Sequence, residues 1–282
     1  MIIDAHAHVW PRWPHRVAVA DLGSRGSVEN LLFEMDTNGV DRALLVSARL
    51  LGTEDNNEYG EHAVASHDGR FYHFVDVDSR WSPDYHRPGS ADRLRSLLEK
   101  FEPIGISHYL GSENDGWLTS RGGIAFFAAA AERPVMVSLA ASPPWFPDLR
   151  RIARQFPEIV FVVNHLGGVG THSAGLDEAL SMVLDDQDVP NLLVKISGLH
   201  YGSPRPWDYP YLDRIRIVKR FYESWGPRRM VWASDFPMLL PFTSYRQSLE
   251  LLREHASFIE ASELPCILGG TLFAILSRLS KA

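Results

Sequence analysis

The chain has 282 residues, of which 45% are hydrophobic and 22% are charged, and these fractions are typical of a globular protein. Its 28 basic and 35 acidic residues give a net charge of −7, which disfavours nucleic acids and anionic membranes as partners. The single cysteine, Cys266, excludes an internal disulfide and a thiolate metal cluster, and the absence of a visible signal peptide or long apolar run predicts a cytoplasmic protein.

Eight short runs of β-branched and other apolar residues recur along the chain, and the pattern predicts eight strands. The predicted strands are Ile2–His8, Arg42–Ala48, Phe71–Asp78, Pro103–Leu110, Arg133–Ala141, Ile159–Leu166, Leu192–Leu199 and Arg229–Pro237. Segments with helical spacing of apolar residues lie between them, and Ser27 is the candidate N-cap of the first. These predicted helices are Val28–Met35, Ser90–Lys100, Ala174–Leu184, Tyr211–Trp225 and Ser244–His255.

The alternation of strands with helices predicts a parallel sheet, because parallel neighbours need a long crossover connection. Eight such units predict a single α/β domain over residues 1–282, a (β/α)8 TIM barrel with extra C-terminal helices. An open doubly wound sheet is the alternative, but the glycine-rich turn expected after its first strand is absent. The loops after barrel strands form the catalytic face, and three of them are rich in proline and aromatic residues: Trp81–Tyr85, Ser142–Pro147 and Ser203–Pro210.

Two histidines one residue apart, His6 and His8, end the first predicted strand. Alternate residues of a strand share a face, so both imidazoles would point into the barrel at its C-terminal mouth. His165 ends the sixth predicted strand, and Asp235 ends the eighth, which adjoins the first in a closed barrel. His6, His8 and Asp235 together suit a divalent metal of the zinc type. Asp235 could also accept a proton from attacking water, which would make it catalytic together with His165.

Further side chains are expected to bind a small-molecule substrate at this mouth. The predicted set is Arg49 after strand two, Arg80 after strand three, His108 and Tyr109 on strand four, Trp145 after strand five and His200 after strand seven. Arg12, Arg16 and Arg205 also follow strands. Because the guanidinium fork suits a carboxylate, these arginines indicate an acidic substrate.

Two features leave alternatives open. Lys195 on strand seven has the parity of an inward-facing residue low in the barrel, and a buried ion pair with Asp4 is one arrangement that would satisfy it. The segment Gly122–Ala131 could pack on the barrel or against a second copy of the chain, so a homo-oligomer stays open.

Several stretches together resemble the amidohydrolase superfamily, in its branch of metal-dependent hydrolases and decarboxylases: IDAHAHVW, VVNHLGG, LLVKISGL, MVWASDFP and ILGGTLFAIL. Within that branch, VKISGL and the short chain look most like the sugar-lactonase and 2-pyrone-4,6-dicarboxylate lactonase group. The resemblance implies that His6 and His8 are metal ligands and that Asp235 is a ligand or the general base. It also implies that His165 polarises the substrate carbonyl or assists proton transfer.

The sequence departs from the fully metallated members of this superfamily at two strands. Those members carry another histidine at the end of strand five, whereas Val135–Ser142 contains none. Strand four, Ile104–Leu110, has no lysine that could be carbamylated. The lactonase group also tends to lack the strand-five histidine, and some of its members work without metal. The resemblance therefore implies either one divalent ion, zinc or manganese, or a metal-free site.

The expected activity is the opening of a small carboxylated or sugar-derived lactone by water that Asp235 activates. A metal-dependent, non-oxidative decarboxylase of an aromatic acid is the alternative, and the missing strand-five histidine argues against it. A third hypothesis is a barrel that binds a ligand without catalysing a reaction. The joint presence of His6, His8, His165 and Asp235 argues against that hypothesis.

Overall fold

The structure, a computed structural model, describes residues 1–11, 25–170, 175–185 and 188–280. Arg12, Arg16 and Ala174 therefore lie outside the described residues. The strands are β1 Ile3–Ala7, β2 Arg42–Val46, β3 Phe71–Asp76, β4 Gly105–Tyr109, β5 Met136–Ala140, β6 Val160–Val163, β7 Leu192–Ile196 and β8 Met230–Trp232. The α-helices are α1 Val28–Asn38, α2 Asn56–Ser66, α3 Ser90–Phe101, α4 Arg121–Ala131, α5 Phe146–Gln155, α6 Leu176–Leu184, α7 Leu212–Trp225, α8 Tyr245–His255 and α9 Thr271–Leu279.

The eight strands pair in chain order, and all seven consecutive pairs are parallel. A parallel bridge between Ala7 and Phe236 brings the last strand back to the first. The backbone N–H of His8 donates to the Phe236 carbonyl at 2.8 Å, and that of Asp235 donates to the His6 carbonyl at 3.1 Å. The predicted (β/α)8 TIM barrel is confirmed, and the bridge sets two candidate site residues side by side.

The side chain of Asp4 reinforces this closure from inside the protein. Its buried carboxylate accepts hydrogen bonds from the Ser234 backbone N–H at 3.1 Å and the Ser234 hydroxyl at 2.5 Å. The Tyr245 hydroxyl donates to the same carboxylate at 3.1 Å. Burial raises the pKa of Asp4 to about 6, while these donors lower it. Asp4 thus ties β1 to the residues that follow β8 and to α8.

Apolar residues alternate between two clusters along the strands, as the two-residue period of a strand requires. On β2, Leu45 belongs to the large cluster with the helices, whereas Leu44 and Val46 belong to a smaller cluster. The smaller cluster also contains three residues of α9, namely Leu272, Leu276 and Leu279. We infer that this cluster fills the barrel interior and that α9 covers its end. Of the predicted extra C-terminal helices, the described residues show one α-helix after α8.

Helix caps agree with the sequence at both ends of the chain. Ser27 caps α1 by accepting a hydrogen bond from the Asn30 N–H, as predicted. Ser244 caps α8 in a reciprocal capping box with Gln247.

The predicted loop Ser142–Pro147 is partly wrong, because Phe146 begins α5. No helix among the described residues combines the length and apolar character needed to cross a membrane.

All eight strands end before their predicted ends, and the difference is three residues or more for β6, β7 and β8. β6 ends at Val163 and β8 at Trp232, several residues before the predicted ends. The reason lies in the backbone, since His165 has φ = 51° and Asp235 has φ = 62°. Both values fall in the left-handed region, which residues with a Cβ rarely adopt and which cannot continue a strand. Two candidate site residues therefore lie at sharp turns just after their strands.

Two neighbouring glycines at the start of α4 give a test of the packing. A Cβ at Gly123 would lie 2.1 Å from the Trp117 carbonyl oxygen, whereas at Gly122 the nearest atom is Trp117 Nε1 at 3.4 Å. We expect Gly123→Ala to lower the free energy of unfolding by about 1–3 kcal/mol. Gly122→Ala should raise it by up to about 1 kcal/mol, because alanine loses less backbone entropy in a helix. Urea denaturation measures both, and equal stabilities would contradict the packing argument.

Candidate active site

A cavity of about 600 Å³ opens at the carboxyl ends of the strands. Its polar and charged lining residues include His8, Arg80, Tyr109, Asn164, His165, Tyr201 and Asp235. The other walls are mainly aromatic and apolar, with Trp10, Trp81 and Met238 among them. The carboxyl ends of the strands are where barrel enzymes place their active sites, so this cavity is the candidate active site.

Three histidines and one carboxylate meet at the floor of this cavity. The Nε2 atoms of His6 and His8 are 2.9 Å apart. The Oδ1 atom of Asp235 lies 3.7 Å from His6 Nε2 and 3.8 Å from His165 Nε2. The Tyr201 hydroxyl donates to the other carboxylate oxygen, Oδ2, at 2.6 Å. The structure thus brings together all four residues that the sequence predicted for the metal and catalytic set.

The enclosed position of these groups shifts their pKa values. Burial raises the pKa of Asp235 to about 7, while the Tyr201 hydrogen bond and the Lys195 charge lower it. Burial also holds the pKa of His6 and of His165 well below the ordinary imidazole value, and the Lys195 charge acts in the same direction. The imidazoles of His6 and His165 are therefore neutral at neutral pH, and can serve as ligands or hydrogen-bonding groups.

Local contacts fix the orientation of the histidine rings. His8 Nδ1 hydrogen-bonds the Val46 carbonyl oxygen of β2, so Nδ1 carries the proton and the Nε2 lone pair faces the cavity floor. His165 Nδ1 contacts the Ser197 hydroxyl just after β7, at 2.9 Å. The ring of His165 is held above His6, with ring centroids 5.3 Å apart. Groups on β2 and just after β7 therefore hold the His8 and His165 rings in place.

His6, His8 and Asp235 have the composition of a site for one divalent ion. One ligand atom from each residue lies within 4.8 Å of the other two. Two imidazole nitrogens and a carboxylate oxygen form a donor set that zinc accepts, and three protein ligands leave a position for water or substrate. The hydrogen bond of His8 to a backbone carbonyl is also the kind of outer contact that orients metal-bound histidines. The residues present therefore fit such an ion.

Lys195 points into the barrel interior, as its parity predicted, but its contacts differ from the expected ion pair. Its Nζ atom lies 2.5 Å from His6 Nδ1 and donates to the Ser138 hydroxyl at 2.8 Å. Among the described residues, the hydrogen-bond donors to the Asp4 side chain are the His6 backbone N–H, Ser234 and Tyr245. Burial lowers the pKa of Lys195 well below its ordinary value, and the charges of Asp235 and Asp4 oppose this shift. The predicted Lys195–Asp4 contact is corrected to Lys195–His6.

The structure separates the adjacent residues His108 and Tyr109. Tyr109 lines the cavity, and its hydroxyl lies 3.0 Å from His8 Nε2. His108 is fully buried on the other face of β4, where Nδ1 donates to the Val77 carbonyl at 2.7 Å. Its Nε2 lies 3.3 Å from His86 Nε2. Neighbouring residues of a strand point to opposite faces, so this parity could have separated the two from the sequence.

Only one of the other four residues predicted for substrate binding lines the cavity, and that residue is Arg80. The Arg49 side chain is directed away, with Nε donating to the Glu54 carbonyl at 2.8 Å. Trp145 is buried behind the wall and donates to the Gly111 carbonyl at 2.8 Å. His200 lines a separate small cavity of about 20 Å³ and stacks on Phe242.

Sequence reasoning missed two polar residues that lie beside the catalytic set, as well as wall residues such as Trp10 and Met238. Tyr201 follows β7 on a short 3-10 turn, and Asn164 directly precedes His165. Asn164 has the same parity as Val160 and Val162 of β6 and so continues their inward face. This parity could have identified Asn164 from the sequence as an inward-facing residue. The position of Tyr201 depends on the turn that begins at Gly198, where φ is 61°, and no spacing rule predicts it.

Solved structures that resemble this one share its fold over nearly the whole chain. An amidohydrolase from Burkholderia multivorans with bound zinc has a TM-score of 0.78 and 19% identity, covering 98% of this chain and 99% of the other. A putative 2-pyrone-4,6-dicarboxylic acid hydrolase from Pseudomonas putida has a TM-score of 0.75 and 19% identity, covering 98% and 97%. The 5-carboxyvanillate decarboxylase of Sphingomonas paucimobilis has a TM-score of 0.63 and 15% identity, covering 98% of each chain. No curated protein matches the sequence at a significant level.

The histidines and the aspartate at the carboxyl ends of β1, β6 and β8 lie where (β/α)8 barrel enzymes place their active sites. The sequence gives the family directly, because residues 3–271 match the profile of the Amidohydrolase family. The chain belongs to this family, as the resemblance in its sequence implied.

Proposed function

We propose that this protein is a hydrolase that opens a small lactone, either carboxylated or derived from a sugar. The observation that carries the proposal is the setting of Asp235, a buried carboxylate that lines the cavity between His6 and His165 and accepts a hydrogen bond from Tyr201. Nearby, β5 presents Ala140 to the cavity, where a decarboxylase-type site would be expected to present a histidine.

In the proposed reaction, Asp235 takes a proton from a water molecule as the water oxygen attacks the lactone carbonyl carbon. The carbonyl electron pair moves to its oxygen, and the intermediate then expels the ring oxygen as an alkoxide. Protonated Asp235 returns its proton to that alkoxide, which leaves a hydroxy acid. A carboxyl group that is enclosed in the cavity, with a pKa near neutral pH, suits both proton transfers.

Stabilisation of the developing oxyanion falls to donors in the cavity wall. When the Ser197 hydroxyl donates to His165 Nδ1, the His165 Nε2 carries the proton and can donate to the substrate carbonyl oxygen. A divalent ion held by His6, His8 and Asp235 would supply Lewis-acid polarisation of the same carbonyl group. Arg80, at the cavity rim, could pair with a substrate carboxylate.

A substrate panel tests the proposal. The purified protein is offered a sugar 1,4-lactone, a muconolactone, 2-pyrone-4,6-dicarboxylate and a set of aromatic carboxylic acids, before and after chelation. Acid release by ring opening is the expected result. Carbon dioxide release from an aromatic acid without lactone opening would overturn the proposal in favour of a decarboxylase. Ligand binding without turnover of any compound would favour a barrel that only binds.

Loss of the hydrogen bond from Tyr201 to Asp235 is expected to lower kcat/KM moderately. Tyr201→Phe removes a donor to a buried carboxylate, and such bonds contribute about 1.5–3 kcal/mol, so kcat/KM for the active lactone should fall by about 10-fold or more. Tyr222→Phe is the matched control, because the Tyr222 hydroxyl donates to Glu263 far from the cavity. Steady-state kinetics of both variants decide the matter, and equal rates in the two would remove Tyr201 from the site.

A further inference from the structure

The amide group of Asn164 is the unusual polar group of the cavity. Asn164 is 2% exposed, lines the cavity and directly follows β6. Its Nδ2 atom has no hydrogen-bond partner among the described residues. Buried donors in folded proteins are nearly always paired, so an unpaired amide beside an active-site cavity indicates a partner that arrives with the ligand.

A chain of hydrogen bonds fixes which end of the amide is unpaired. Lys195 Nζ donates to the Ser138 hydroxyl oxygen at 2.8 Å, and the Ser138 hydroxyl donates to Asn164 Oδ1 at 3.0 Å. Reversing the amide would leave both its oxygen and the serine proton without partners. The Asn164 oxygen is therefore committed to Ser138 on β5 and also contacts His6, and the NH2 group is the end that has no partner among the described residues.

The chemistry of this group limits what it can bind. An amide NH2 donates hydrogen bonds and does not ligate a cation, so its partner must be an acceptor, such as a carbonyl or anionic oxygen. Asn164 lines the same cavity as Asp235, and its side chain contacts His6, whose Nε2 lies 3.7 Å from Asp235 Oδ1. An acceptor bound by Asn164 would thus lie beside the proposed general base.

We propose that Asn164 Nδ2 donates a hydrogen bond to the carbonyl oxygen of the substrate and to the oxyanion that this oxygen becomes. The inference rests on the proposed lactone opening, in which this oxygen gains negative charge when water attacks. It makes Asn164 a catalytic residue and Ser138 a positioning residue that holds the amide in its productive orientation.

Kinetics of three variants test this role. Asn164→Ala and Asn164→Asp remove the donor and should lower kcat by about 10²-fold while KM changes little, since donors to an oxyanion act mainly in the transition state. Ser138→Ala should lower kcat less, by about 10-fold, because the amide loses its anchor but keeps its donor. Asn38→Ala is the control, since the Asn38 amide bonds to Glu34 within α1, away from the cavity. Unchanged kcat in Asn164→Ala would overturn the inference.

A binding measurement separates this inference from the proposed function. The chain has seven asparagines, so selective 15N-asparagine labelling yields few side-chain NH2 signals, and Asn164→Ala assigns the relevant one. Methylphosphonate, a tetrahedral anion, serves as the oxyanion probe. We expect it to shift the Asn164 signal and to bind about 10-fold more weakly to Asn164→Ala.

The two measurements fail in different ways. If the wild-type protein opens no lactone but methylphosphonate shifts the Asn164 signal, the proposed function is overturned and the acceptor site at Asn164 stands. If methylphosphonate gives no shift, or binds equally to wild type and Asn164→Ala, the acceptor site is overturned whatever the wild-type activity.

Discussion

Asp235→Asn is expected to lower kcat for lactone opening by about 10³-fold, since general-base catalysis contributes effects of this size. The asparagine keeps the shape of the side chain, and its oxygen can still accept the Tyr201 hydrogen bond. It cannot take a proton from water between His6 and His165, where the carboxylate oxygen lies 3.7 and 3.8 Å from the two Nε2 atoms. Saturation kinetics with the active lactone measure the loss.

The control for this variant makes the same chemical change elsewhere. Asp208→Asn replaces a half-exposed carboxylate that pairs with Arg205 in the loop after β7, and it should retain full activity. Thermal unfolding of both variants checks that the barrel stays intact. If Asp235→Asn kept more than a tenth of the wild-type kcat, another group would be the base and Asp235 would be reduced to a ligand.

The second large expected effect is the loss of bound zinc when one of its three candidate ligands is removed. After loading with zinc and removal of the excess by gel filtration, the wild-type protein should keep about one ion per chain. His8→Ala deletes one of the three converging ligands, and should therefore retain less than about a tenth of that amount, because even outer contacts of metal ligands are worth about 10–100-fold in affinity. Elemental mass spectrometry of the filtered protein gives the stoichiometry.

A histidine outside the site supplies the comparison for the metal measurement. His62 lies exposed on α2, where its ring contacts Ser66, so His62→Ala should retain as much zinc as the wild type. Equal zinc content in all three proteins would place the ion at other residues. A wild-type protein that retains no zinc but opens a lactone would show that His6, His8 and Asp235 work through proton transfer and hydrogen bonding alone.

The barrel and the core of the site were predictable from local patterns. Eight apolar runs alternating with helical segments require parallel pairing, and strand parity places His6 and His8 on one face. Barrel closure then sets Asp235 beside them, because the last strand must adjoin the first. These steps depend only on chain-local periodicity and on one topological rule, so they could be made without coordinates.

The wrong strand ends and the wrong placement of His108 have different physical origins. The apolar pattern continues past Val163 and Trp232, but the left-handed backbone at His165 and Asp235 ends both strands early. The spacing of apolar residues predicts which segments are buried, but it contains no information about the φ angle of each residue. It therefore predicts strand ends poorly. His108 is a different failure, since the parity that assigned His6 and His8 to the interior also assigns His108 to the opposite face from Tyr109.

The sequence by itself determined the fold, the family and the convergence of His6, His8, His165 and Asp235. Only the tertiary structure decided the partners of these groups, including Tyr201 on Asp235, Lys195 on His6 and the serine that orients Asn164. Lys195 and His6 are 189 residues apart in the chain. Such contacts depend on the distances between side chains that reach across a closed barrel, and periodicity along one strand carries no information about them.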